Sequence, residues 1–573
     1  MARTITRSKP VYSREEVESD RGVVAAGHER EAEAGARVLA AGGNAVDAMV
    51  AAAFTGFVVE PASCGVGGYA HTTVWIEKRG ESITFDGYVR APSRARADMF
   101  EIDTSTTGHY YGHPVTKGRK AEAGFLSPAV PGAVRSLCDA HEAFGKLSLS
   151  QVLEPAIEAA EEGLRFTWQH LTTIVNLEDT IRSLPETAAM LLPGGRLPRV
   201  PYSGKSAQRL DQTALAGTLK EIAKKGAAGF HAGRVAEAIG RFVTANGGIL
   251  SADDIKGYRT RILREKPSRY RGHRYTSCFD QVAYEALNIL DAYDLRGYGP
   301  DSYEYRHLAA EALALAFTDS IALYGDPDFE KAPVNGLASE AFADARRKLI
   351  RMGKAQSRPV AVGDPWPYDD RWPAPERLEA RPTTARRDGT SQMVAADRWG
   401  NMASTIVSLT SGFGCLVLEP KTGVFLNNSM QNYDPRPDHP NRIVPGKMPI
   451  FAAPAIVAWK GGKARFAGAG SGGYRIEGGV LHTMMNVLDH RMGVQQAIDH
   501  PRVHSQGAET VVDDRIPTKV RDKLANAGHD VQVVREEPGA VNFGRITAIA
   551  YNPRRKTLTA GAAPNWGTGV AAI

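Results

Sequence analysis

Between Gly389 and Leu409 the pattern of apolar and polar positions reads as extended chain. Ser391, Met393 and Ala395 fall on one side of an extended chain, and Gln392, Val394 and Ala396 on the other, the period of two that a strand imposes. Asp397-Arg398-Trp399-Gly400-Asn401 supplies turn residues and 403–409 reads as a returning strand, so the stretch is predicted to be an antiparallel hairpin. Upstream, 1–20 reads as a loose tail, 23–28 as a short strand and 29–41 as a helix stopped by Gly42-Gly43. Asn44 then caps a second helix, AVDAMVAAAFTGFVV, whose small residues suit close packing beneath a sheet. Strands are predicted at 72–77 and 82–85, and helices to about residue 144 and at 147–164, 168–183, 211–224, 234–246, 283–292 and 303–324. Residues 355–389 hold six prolines and many charges without periodicity, the composition of a flexible loop. Beyond the hairpin, 429–447 is turn-rich and reads as a lid over a cleft, followed by strands at 453–459 and 464–467 and a helix over 476–490. No internal repeat appears.

Bulk properties narrow the function classes. A chain of 573 residues exceeds an average single core. Hydrophobic content of 43% and charged content of 23% are those of a soluble globular protein. The net charge of +6 is diffuse, without the basic stripe and interleaved aromatics of a nucleic-acid surface. Cys64, Cys138, Cys278 and Cys415 lie far apart, with neither zinc-finger nor disulfide-framework spacing. None of the 15 histidines shows ligand spacing, so neither metal nor other cofactor is expected. The polar N-terminus and the absence of a long apolar run point to a cytoplasmic protein without a membrane span.

Candidate chemistry concentrates at Gly389-Thr390. Glycine before a hydroxyl residue at a strand start tolerates the backbone geometry that attack on its own carbonyl requires. Taken alone, such a pair is most often a plain turn exit. The order Thr390-Ser391, Asp397, Gly400-Asn401, Ser408-Leu409, Phe413-Gly414 and Leu426-Asn427-Asn428 resembles the γ-glutamyltranspeptidase family of N-terminal nucleophile (Ntn) hydrolases. The opening segment around GARVLAAGGNAVDAMVAAAF, then Glu60-Pro61 and Gly65-Val66-Gly67-Gly68, extends the resemblance across nearly the whole chain. It implies an α+β fold, a four-layer αββα sandwich with two antiparallel sheets between helical layers. It also implies cleavage between Gly389 and Thr390, leaving pieces 1–389 and 390–573 intertwined in one core as a heterodimer, with a higher oligomer open. Thr390 would serve as nucleophile and Ser408 as the second hydroxyl, with Gly472 and Gly473 as the oxyanion pair.

The loop from Gly468 to Gly473 also spells GxGxxG between a strand and a helix, which invites a nucleotide-binding reading. That motif should open a βαβ unit, whereas here a second helical stretch follows. Consecutive glycines at a helix start, which let two N–H groups converge on an oxyanion, serve acyl transfer better.

The family's γ-glutamyl contacts are largely replaced. Tyr88 stands at the position of the carboxylate-binding arginine, with Arg90 two residues on; Thr410 replaces an asparagine, Asn432 an acidic residue, and Ile450-Phe451 a serine pair. The resemblance therefore implies an amidohydrolase or acyltransferase acting on a small-molecule amide that is not γ-glutamyl. Its acyl group would be apolar or aromatic, as in β-lactam-type or lipid-like amides, or a small acid such as oxamate held by Arg90 or Arg475. A true γ-glutamyltransferase and a non-catalytic scaffold are the alternatives.

Overall fold

The structure is a computed structural model that describes residues 12–372 and 389–573, apart from 107, 108, 111, 112, 279, 451 and 452. Two seven-stranded antiparallel sheets form its centre. In the first the order is Gly569–Ala572, Gly22–Ala26, Ser391–Asp397, Met402–Ser408, Tyr69–Ile76, Glu81–Gly87, Arg261–Leu263. The predicted hairpin is thus central, and strands from before and after Thr390 interleave in one sheet. The second sheet contains Lys463–Ser471 paired with Ile456–Lys460 on one side and Arg545–Asn552 on the other.

The alternation read in the hairpin decides how these layers stack. Met393 and Ala395 join Val24, Ala26 and the helices Glu29–Ala40 and Ala45–Val59 in one core. Val394 and Ala396 face the other way, into the core shared with Val457, Ala467 and Ile549 of the second sheet. Across that interface Trp75 stacks on Trp459 at 4.8 Å and Ser404 Oγ donates to Gly468 O at 2.9 Å. Helices Gln281–Leu290, Tyr303–Leu323 and Arg475–Leu488 contribute Leu287, Phe317 and Val480 to this core, completing the αββα sandwich.

Asn44 caps the Ala45–Val59 helix as expected, its side chain accepting from the N–H groups of Val46 and Asp47; such a cap contributes about 1 kcal/mol. The helix is buried on every side because alanine and glycine let it lie between the sheet and its neighbours.

Two segments differ from expectation. Residues 355–366 do not hang loose: Ala355 N–H donates to Ala527 O at 2.7 Å, Arg358 pairs with Glu311 at 2.7 Å, and Gly363 N–H donates to Asp319 Oδ1 at 2.6 Å. Two buried carboxylates of the Tyr303–Leu323 helix hold what composition alone reads as linker. The rest of the predicted flexible loop, 373–388, lies outside the described residues. The turn-rich 429–447 is tied to the segments around it. Lys447 is wholly buried on Glu330 at 2.7 Å, and Ala91 donates its N–H to Lys447 O and accepts from Gly446 N–H, both at 2.9 Å. Among the described residues no helix is long and apolar enough to cross a membrane.

Candidate active site

The register that pairs Ser391 with Val407 brings Thr390 level with Ser408, the last residue of the returning strand. Both are buried. Ser408 Oγ donates to Gly389 O at 2.8 Å, accepts from Thr410 N–H at 2.8 Å, and lies 3.1 Å from Thr390 Oγ1. A serine hydroxyl has one proton. With that proton on the Gly389 carbonyl, the contact with Thr390 is a donation from Thr390 to Ser408. The arrangement polarises the carbonyl before Thr390 and orients the threonine hydroxyl at the same time. Ser408→Ala removes both effects while deleting only one oxygen from a buried strand end. Chain scission and any later turnover are expected to slow by about 10- to 100-fold, measured as the half-time of single-chain disappearance beside a thermal melt that stays near wild type.

Thr410 has φ of 80°, a left-handed conformation that is rare for a β-branched residue. Its N–H on Ser408 and its Oγ1, 2.7 Å from Ser429 Oγ, hold it there. Such strain persists only where surroundings over-determine it, and here it turns the chain sharply after the paired hydroxyls. Asn428 braces the same turn by accepting from Ser411 N–H at 3.0 Å. Asn427 ties Gly67 and Ala129 together, so the Leu426-Asn427-Asn428 motif is scaffold for the site.

Lys463–Ser471 delivers Gly472 and Gly473 to the N-terminus of the Arg475–Leu488 helix. Their φ values are 125° and 58°, and a Cβ on Gly472 would sit 2.8 Å from Val541 Cγ1. Only glycine fits such a close, left-handed turn. This loop does not open a βαβ unit, because its strand is antiparallel to both neighbours and the Val503–Ser505 strand lies in another sheet. The nucleotide-binding reading therefore lacks its frame.

Arg545 escaped the sequence reading. Opposite Ser471 in the ladder, it donates from Nε to Ser471 Oγ at 2.7 Å and from Nη2 to the Thr390 carbonyl, while Nη1 meets Glu60 Oε1 at 3.3 Å. Glu60, Ser471, Arg545, Trp566 and Gly389 share a cleft of about 310 Å³. Behind it, Ser391 Oγ donates to Glu31 at 3.1 Å; burial, helped by the neighbouring Glu60, pushes the Glu31 carboxyl well above its usual range. No spacing rule links residues so distant in sequence.

The residues expected to bind substrate divide. Tyr88, Asn432 and Ile450 come together: Asn432 Nδ2 donates to Tyr88 OH at 2.8 Å, and Asn441 joins Asn432 O to Ile450 N–H with contacts of 2.7 Å each. Thr410 meets Ser429, which opens the short turn Ser429–Asn432 that carries Asn432. Tyr88 packs edge-on against Tyr69 at 4.7 Å, and burial pushes its phenol well above the ordinary value, so this wall is uncharged. Phe451 lies outside the described residues. Arg90 does not join the group as a substrate cation. Its guanidinium is 2.9 Å from Asp86 and donates to the carbonyls of Tyr88 and Val89, because a buried aspartate demands a partner. Arg475 pairs with Glu509 at 3.8 Å at the helix start.

A possible ligand set also emerges that spacing did not reveal: His71, Asp86 and Cys278 bring ligand atoms within 4.8 Å of one another. Arg90 and Arg261, at 2.9 and 3.3 Å from Asp86, already neutralise it and disfavour a further cation.

Residues 32–573 match the sequence profile described as Gamma-glutamyltranspeptidase. The chain belongs to the gamma-glutamyltranspeptidase family. Among its relatives, the acylase ACY 1 proenzyme of Pseudomonas sp. (strain V22) is 35% identical over 93% of this chain and 90% of that protein. The glutathione hydrolase proenzyme of Bacillus subtilis (strain 168) is 29% identical over 96% and 91%. Among solved structures, cephalosporin acylase from Bacillus halodurans superimposes with a TM-score of 0.83 at 28% identity, covering 100% of this chain and 99% of that one. Membership in the gamma-glutamyltranspeptidase family makes the fold an Ntn-hydrolase sandwich and the reaction class hydrolysis or acyl transfer at a C–N amide bond.

Proposed function

We propose that this chain is a self-processing amidohydrolase that cuts itself before Thr390 and then uses Thr390 as an N-terminal nucleophile on amides with an uncharged acyl group. The observation that carries the reading is the placement of Ser408 Oγ between Thr390 Oγ1 and the Gly389 carbonyl. In the first reaction Thr390 Oγ attacks the Gly389 carbonyl, whose developing negative charge meets the Ser408 proton. The amide nitrogen leaves as the α-amine of Thr390, and water hydrolyses the resulting ester.

Processing creates the base that turnover needs. An α-amino group has a reference pKa of about 7.7–8.0, so a useful fraction is unprotonated near neutrality and takes the Oγ proton directly or through one water. Attack on a substrate amide then places negative charge beside Gly472 and Gly473. The leaving amine takes a proton, and water or an acceptor amine releases the acyl group from Thr390. The proenzyme names of the acylase and glutathione hydrolase relatives support processing into two associated fragments. The uncharged Tyr88, Thr410, Asn432 and Ile450 favour an acylase activity. With Arg90 committed to Asp86, an acidic acyl group such as oxamate loses its expected partner. Four buried, unpaired cysteines are compatible with the cytoplasmic location proposed from the sequence.

Intact-mass analysis and N-terminal sequencing of purified protein test the reading directly. The smaller fragment is expected to begin Thr390-Ser391-Gln392; a folded, active protein that stays a single chain would overturn it.

A further inference from the structure

The nucleophile and the oxyanion donors proposed above lie on different sheets. Thr390 precedes the Ser391–Asp397 strand of one, and Gly472-Gly473 follow the Lys463–Ser471 strand of the other. Two packed sheets slide and twist relative to each other far more readily than two residues of one hairpin. Acyl transfer, however, needs its groups held to within about 0.5 Å.

We propose that Arg545 is the positioning residue that fixes Thr390 against the Gly472-Gly473 loop, in the service of the Thr390 reaction on which this inference rests. Its guanidinium spans the sheets. Nη2 holds the carbonyl of Thr390 on one, and Nε holds Ser471, the residue immediately before Gly472, on the other. Glu60, at the C-terminal end of the Ala45–Val59 helix, holds Nη1 at 3.3 Å, and the Trp566 ring lies 4.8 Å from the guanidinium carbon. A planar fork with several donors in fixed directions suits such a three-point tie, whereas a lysine offers a single point charge. Arg545, Glu60 and Ser471 are all more than nine-tenths buried. A buried guanidinium with three separate partners is held in one orientation and does not sample alternatives as a surface arginine does.

The atom that Arg545 grips also matters. Scission before Thr390 changes its nitrogen and leaves its carbonyl untouched, so the tie formed in the precursor persists in the processed enzyme. The clamp would thus serve both reactions. It touches neither the hydroxyl nor the acyl wall of Tyr88, Asn432 and Ile450, so its loss should appear in the rate of the chemical step and spare substrate affinity.

The test compares wild type, Arg545→Lys and Arg545→Met for scission rate and for kcat and KM on the best neutral acyl-anilide. Expected are a fall of about 100-fold in both scission and kcat for the methionine variant, with KM within about threefold, and partial recovery in the lysine variant. Wild-type kcat in the methionine variant, a loss confined to KM, or a lysine variant no better than methionine would each overturn the proposal. If the methionine variant does not melt cooperatively, Ser471→Ala decides. It cuts only one end of the tie and should lower kcat about tenfold at unchanged KM; an unchanged kcat overturns the clamp. Failure of the Thr390 reading itself is seen in wild type alone, as a chain that neither processes nor turns over amides.

Discussion

Thr390→Ala is expected to leave the protein as one uncut chain of 61.8 kDa and to reduce amide turnover by about 10⁴-fold or more. The size of the effect follows from the double use of one residue. Without Oγ there is no attack on Gly389, hence no free α-amine and no base. Without base or nucleophile, only binding and oxyanion stabilisation remain. Thr390→Ser separates the roles because it keeps the hydroxyl and loses the methyl that restricts its rotamer. It should process and turn over more slowly than wild type and far faster than alanine. Denaturing electrophoresis with time reads processing, and steady-state kinetics reads turnover. An alanine variant that still splits at Gly389 would transfer the chemistry to another residue. Burial of Thr390 at 2% exposure makes the alanine change a small cavity and not an unfolding event, so a melt close to wild type should accompany the loss.

The second large effect concerns the acyl group. A γ-glutamyl head carries an ammonium and a carboxylate, and each must find a partner on leaving water. The expected wall offers Tyr88, Thr410, Asn432 and Ile450, all buried and none charged. Of the two cations read from the sequence, Arg90 is held by Asp86 at 2.9 Å and Arg475 lies 3.8 Å from Glu509. Leaving one buried charge unpaired costs several kcal/mol, which corresponds to about 10³-fold or more in binding. A neutral aromatic or aliphatic acyl-anilide should therefore exceed γ-glutamyl-anilide in kcat/KM by about that factor. Oxamate is expected to be poor for the same reason. The three substrates compared side by side decide it. Efficient γ-glutamyl turnover would align this chain with its glutathione hydrolase relatives and show that charged groups reach the pocket from elsewhere.

Local signals carried much of the fold. The period-two alternation around Met393 and Val394 foretold the hairpin, and the structure showed which side meets helix and which meets sheet. Asn44 and Gly42-Gly43 marked helix ends to within a residue or two. These features are legible because they depend on a few neighbouring residues and on covalent geometry. At 355–366 and 429–447 composition foretold irregular backbone but not what anchors it. Proline and charge mark irregular backbone, but whether such backbone is loose or held depends on carboxylates such as Glu311, Asp319 and Glu330, which spacing cannot assign.

The site divides along the same line. The sequence drew attention to Gly389-Thr390 at a strand start, and its resemblance to the γ-glutamyltranspeptidase family nominated Thr390 as nucleophile with Ser408, Gly472 and Gly473 beside it. Tertiary structure alone decided which partner each polar group takes. It put Ser408 on the Gly389 carbonyl, removed Arg90 to Asp86, and carried Arg545 across two sheets to Thr390 and Glu60. Those outcomes are competitions among buried groups for a limited set of partners. Such competitions are resolved by distance and desolvation in the packed molecule, quantities that sequence separation does not encode.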